Sequence, residues 1–90
     1  MNVKEAVAKA KKYILDLFEN ENPTNVGLEE VELDQQTDEW VVTIGLSRPW
    51  DEPRNALAAL SAAPRRTYKV VRISDATEEV LSVKNRESDT

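Results

Sequence analysis

The chain contains no cysteine and no histidine, and only two glycines. The missing cysteine excludes disulfides and thiolate metal ligation. The missing histidine removes the side chain that titrates near neutral pH and the commonest metal ligand. Zinc enzymes of the usual kind, Ser-His-Asp hydrolases and Cys-His proteases therefore have no residues to run on. Gly27 and Gly45 fall in different strand-like segments, so there is no glycine-rich phosphate loop. No segment approaches the ~20 apolar residues of a membrane-spanning helix. The opening stretch "MNVKEAVAKAKKYILDLF" is charged throughout and has no apolar run of the kind a secretory signal needs. The expectation is a cytoplasmic protein without membrane attachment.

What is present is the composition of an ordinary globular domain. The chain has 90 residues, 40% hydrophobic and 32% charged, enough for one two-layer core and little more. The net charge is −5 and is unevenly placed. Residues 16–39 hold nine acidic residues and no lysine or arginine, whereas from Arg48 onward eight basic residues face seven acidic ones. Overall acidity argues against direct nucleic-acid binding, which needs a basic surface.

The first element is a helix. Val3, Ala6, Val7, Ala10, Ile14, Leu17 and Phe18 recur at helical spacing and define its apolar face. Asn2 is the expected N-cap, with Glu5 as its capping-box partner. The helix ends before Pro23. The period then drops from 3.6 to 2. Val26 and Leu28 alternate, as do Val31 and Leu33, but the two pairs are out of phase. A strand with one buried face needs an extra residue to shift phase, which predicts a β-bulge near Glu29 and Glu30. After the turn "DQQTD", the stretch "EWVVTIGLS" is the strongest strand, with Trp40, Val42, Ile44 and Leu46 on one face. "TYKVVRIS" follows residues 48–65, although adjacent Val70 and Val71 leave its buried face ambiguous. "DATEE" is a turn and "VLSVK" the last strand. One helix and four strands, joined mostly by short turns, predict an α+β fold: the amphipathic helix packed on one face of a four-stranded antiparallel meander.

The order of these motifs, with Tyr68 leading the third strand, Asp75, Ala76 and Thr77 opening the turn and Val80 and Leu81 starting the last strand, resembles the PepSY-like (cystatin-like) group of small domains. Glu78 stands where that group most often has glycine. If the position requires a positive φ, a glutamate there costs ~1 kcal/mol. The resemblance makes residues 1–84 a single domain, with an inserted connection at 48–65 and a polar tail at 85–90. It implies a helix-on-sheet fold and a non-catalytic role, since PepSY domains act as inhibitory or regulatory modules in protease propeptides and in membrane-associated or secreted proteins. The propeptide role does not transfer to a chain without the secretory context, and the group offers no catalytic residues to carry over.

No catalytic constellation is expected. Glu29, Glu30, Glu32, Asp51 and Glu52 sit in water-exposed contexts where nothing raises a carboxylate pKa. Asp34, Asp38 and Glu39 offer oxygen ligands but lack the spacing of a calcium loop. No enzyme activity, cofactor or metal is therefore expected. The segment between the second and third strands invites more attention, because a hairpin needs only two to five connecting residues. Pro53 can open a short helix and Pro64 close it, with Leu57 and Leu60 on one side. One reading folds this segment back over the core. The other makes it a partner-binding arm, with Arg48, Trp50, Arg54, Leu57, Leu60, Arg65 and Arg66 as contacts and Trp50 as the anchor, tryptophan and arginine being the types enriched in interface hot spots. The second reading gives a protein-interaction module that inhibits or regulates a partner protein.

Other readings stay open at this point. The sheet's second face, with Val41, Thr43 and one of the two adjacent valines, has no visible cover. It could hold a homodimer together or seat the chain as an accessory subunit. The acidic first half could meet the basic segment of a second copy, or imitate nucleic acid. Trp40 and Phe18 are expected to fill the space between helix and sheet, leaving no room for a small ligand.

Overall fold

Helix α1, Val3–Leu17, begins where the sequence places it. The Asn2 side-chain oxygen accepts a hydrogen bond from the Glu5 amide at 2.9 Å, satisfying one of the amides that a helix start leaves without a partner. Ala6, Ala10 and Ile14 are fully buried along its inner stripe. The two alanines let the helix backbone approach the sheet, and Ile14 fills the space beyond them. Val3 and Leu17 were expected on the same face but are 45% and 53% exposed. They sit at the two ends of the helix, where the stripe runs off the sheet. The Phe18 amide closes the last turn on the Ile14 carbonyl at 3.0 Å. A single 3₁₀ turn follows at Glu19–Glu21, and Asn22 takes a left-handed conformation with φ 49° before Pro23. Asparagine is among the residues that tolerate this region.

The computed structural model describes residues 1–48 and 66–86. Within them the four strands are β1 Thr24–Asp34, β2 Glu39–Ser47, β3 Thr67–Ser74 and β4 Val80–Asn85. They form one antiparallel sheet in the order β1-β2-β3-β4, and α1 lies against it. The fold is α+β, as the sequence predicts. Trp50, Arg54, Leu57, Leu60 and Arg65 lie outside the described residues, as does the helix expected around them.

The expected bulge is present. Leu28 pairs with Ile44 and Glu30 with Thr43, so Glu29 is the extra residue. It brings Val26 and Leu28 onto the face that Val31 and Leu33 occupy. A second irregularity lies between Thr24 and Gly27, where Asn25 adopts φ 52°. At the tight turn into β2, the Gln36 amide donates to the Asp34 carboxylate at 3.0 Å. Val42, Ile44 and Leu46 are fully buried under the helix. Val71 and Ile73 join them from β3, which settles the ambiguity: Val71 faces the core, and Val70, paired with Thr43, faces away. β4 completes the sheet with Val83 opposite Val71 and Val80 opposite Ile73; Leu81 is the extra residue and is exposed.

Three features refine the sequence reading. Glu78 has φ 61°, so the turn before β4 does hold a left-handed residue where a glutamate is strained. Trp40 packs half-buried against the core, and its indole N–H also donates to Asp75 at 2.8 Å, tying the start of β2 to the β3–β4 turn. The sheet's second face is not open at its centre, because Thr43 and Ser47 are only 4% and 5% exposed. Between them, a Cβ on Gly45 would lie 2.7 Å from Arg66 Nη2 and 2.8 Å from Glu29 Oε1. A glycine stands here because this ion pair rests on the strand.

Candidate functional site

β2 and β3 are antiparallel neighbours, so residue 48, which follows the one, and residue 66, which precedes the other, lie at the same end of the sheet. The two arginines flanking the long connection are there, and each meets an acid from the first half of the chain. Arg48 Nη1 lies 3.3 Å from Glu21 Oε1, on the helix side. Arg66 Nη2 donates to the Asn25 carbonyl at 2.9 Å and to Glu29 Oε1 at 3.4 Å, on the far side. Further along β3, Arg72 lies 3.6 Å from Glu39 and 3.9 Å from Asp34. The charge split in the sequence is thus used within one molecule. Glu21, Glu29, Asp34 and Glu39 are matched by the fold's own arginines, which weakens the case for an acidic surface reserved for a second copy or for a nucleic-acid-binding protein.

Around Arg48 and Arg66 lies a cavity of about 510 Å³, lined also by Thr67, Tyr68, Lys69, Asn85 and Arg86. Lys69 shares the helix face with Val71 and Ile73. In register it faces Ile44 on one side and Asn85 on the other. Its ammonium donates to the Asn85 side-chain oxygen and lies 5.1 Å from the centre of the Phe18 ring. The Arg48 guanidinium lies 5.4 Å from the same ring. Burial lowers the Lys69 pKa below its ordinary value, repulsion from Arg48 lowers it further, and Glu21 opposes both. On the other face, the Arg86 guanidinium stacks 4.2 Å above the Tyr68 ring, while the Arg86 amide donates to the Tyr68 carbonyl at 2.9 Å. A cation over an aromatic face is held without losing its charge.

The cavity wall therefore carries four cations, Arg48, Arg66, Lys69 and Arg86. Glu21 and Glu29 pair with the first two. Among the described residues, neither Lys69 nor Arg86 forms an ion pair, although Glu21 lies near enough to act on the Lys69 charge. Such a wall can hold an anion.

Of the residues singled out in the sequence, this site contains Arg48 and Arg66. It adds Tyr68, Lys69, Asn85 and Arg86, which sequence reasoning missed. Lys69 left a signal, as a charge in phase with core valine and isoleucine, but the adjacent valines hid the phase. Arg86 falls in the polar tail at 85–90 and carries none. A second concavity, of about 380 Å³, lies between α1 and β1 and is lined by Val3, Val7, Ala8, Leu28 and Val31 with Lys4 and Lys11. The space between helix and sheet is therefore not filled at this edge, contrary to expectation. No helix among the described residues is long and apolar enough to cross a membrane.

No family model matches the chain, and no curated protein and no solved structure matches it. The PepSY-like resemblance rests on the residues quoted for it alone.

Proposed function

We propose that this chain is a non-catalytic, cytoplasmic protein-interaction module of PepSY-like character that inhibits or regulates a partner protein. It docks through the end of the sheet from which the long connection leaves. The observation that carries this reading is the pair of cations, Lys69 and Arg86, that form no ion pair among the described residues, beside the anchored Arg48 and Arg66. Like charges clustered at one end repel one another, and such a cluster favours association with groups of opposite charge. Trp50, Arg54, Leu57, Leu60 and Arg65 belong to the same proposed contact, as residues of the connection that starts and ends there.

The test is affinity capture from a lysate of the source cells. The wild-type chain is compared with one in which residues 50–64 are replaced by a short Gly/Asn turn, and with Trp50→Ala. A protein captured by wild type and lost with the shortened connection supports the reading. The Trp50→Ala change is then expected to weaken binding by about 1 kcal/mol or more while the circular dichroism spectrum is retained. Identical capture by all three chains would contradict it.

A further inference from the structure

The two cations that form no ion pair among the described residues lie on opposite faces of the sheet. Lys69 shares the helix side with Val71 and Asn85, whereas Tyr68 and Arg86 lie on the other. Both faces border one cavity of about 510 Å³, within the range of roughly 300–1,000 Å³ that holds ligands. Cations on both faces favour a ligand that carries more than one negative group. A ligand with two such groups reaches both. In an extended peptide, successive side chains point to opposite sides, about 3.3 Å apart along the chain. Two adjacent carboxylates would then point one to each face. β4, which ends at Asn85 on the cavity rim, is an edge strand of the sheet, so an extended segment can run alongside it.

From this we infer that the cavity binds an extended acidic segment of a partner protein through two neighbouring carboxylates, one paired with Lys69 and the other with Arg86. The inference rests on the protein-interaction reading above and supplies its ligand chemistry. Arg48 and Arg66, each already held by a glutamate, shape the cavity and add to its field.

The test uses the full chain and fluorescence anisotropy with labelled Gly/Ser peptides that carry a central Glu-Glu or Gln-Gln pair. The Glu-Glu peptide is expected to bind and the Gln-Gln peptide to fail. Lys69→Gln and Arg86→Gln should each weaken binding roughly two- to fivefold, the range of a single partly exposed ion pair. Lys12→Gln removes the same charge from an exposed position on α1 and should leave binding nearly unchanged. Lys69→Arg should restore most of the loss. Equal binding of the two peptides, or an equal loss from Lys12→Gln, would overturn the inference. Displacement of the Glu-Glu peptide by inorganic phosphate, at concentrations where acetate has no effect, would overturn it as well and assign the cavity to a phosphoryl group. Should a partner be captured through residues 50–64 while no acidic peptide binds, the interaction reading stands and only this ligand assignment falls.

Discussion

Replacing Glu78 should make the protein more stable. The residue sits in the turn before β4 with φ 61°, a region that costs an L-residue with a Cβ roughly 1–2 kcal/mol and costs glycine nothing. Glycine adds conformational freedom to the unfolded chain, which takes back about 0.4–1 kcal/mol. The backbone bonds of the turn survive the change, since the residue 78 amide still donates to the Ser74 carbonyl at 2.8 Å and the Ser74 amide to the Glu79 carbonyl at 2.9 Å. The Glu78 side chain is exposed and makes no hydrogen bond or ion pair among the described residues, so nothing else is lost. The net expectation for Glu78→Gly is a gain of about 0.5–1 kcal/mol. For a domain of this size that is a rise in Tm of roughly 2–8 °C. Urea unfolding at 25 °C should show a higher midpoint with an unchanged slope. Glu78→Ala is the control, because it removes the carboxylate and keeps the Cβ; it should give no gain. If alanine matches glycine, or if glycine destabilises the protein, the backbone-strain argument is wrong.

Other perturbations probe the rest of the account. Ile14→Ala empties the centre of the helix–sheet core and should cost about 2–5 kcal/mol, a large share of the total stability of a small domain, which thermal unfolding reads directly; a Tm within a few degrees of wild type would place Ile14 outside the core. Asp75→Ala leaves the Trp40 indole without its acceptor and should cost roughly 1–3 kcal/mol, whereas Asp75→Asn, which keeps an oxygen there, should cost less; equal losses would mean that the bond between them contributes nothing. Lys69→Met tests the burial of the Lys69 ammonium and its crowding by Arg48. Because burial and then Arg48 lower the Lys69 pKa below 10.5, the unfolded chain binds more protons than the folded one as pH approaches that value. Wild-type stability therefore gains from Lys69 as pH rises through this window. The stability of the methionine variant relative to wild type should fall between pH 7 and that window, and a difference independent of pH would refute both the burial and the crowding of the ammonium.

How much of this was legible beforehand follows from what each feature is made of. The helix, its Asn2 cap and the Glu29 bulge were readable because each is written in a short contiguous pattern: a capping residue before an apolar period, and two alternating pairs that slip phase by one. The irregularity at Asn25 left no such mark, since no apolar residue on its N-terminal side shows the slip. The buried face of β3 was undecidable from "KVVRI", because either valine fits; only pairing with β2 and β4 selects Val71. The left-handed conformation at position 78, φ 61°, is not written in the local sequence, which places a glutamate there, and the glutamate meets it at a cost. The cavity could not be read at all. Its walls come from Arg48, the start of β3 and the end of β4, with Phe18 behind, and only the strand register brings residue 69 beside residue 85. Arg48 and Arg66 were noticed for their density around Trp50, yet their glutamate partners, Glu21 and Glu29, came from an acidic stretch that the sequence made look like a separate surface.

The central claim is that the end of the sheet beside Lys69 and Arg86 receives an acidic segment of a partner. It is tested most directly by titrating ¹⁵N-labelled protein with the Glu-Glu peptide and following the backbone amide resonances. The account predicts shifts concentrated at residues 67–69 and 85–86, weakened by Lys69→Gln and Arg86→Gln. Shifts confined to the groove between α1 and β1, at Val3, Val7 and Leu28, or no shifts at all, would contradict it.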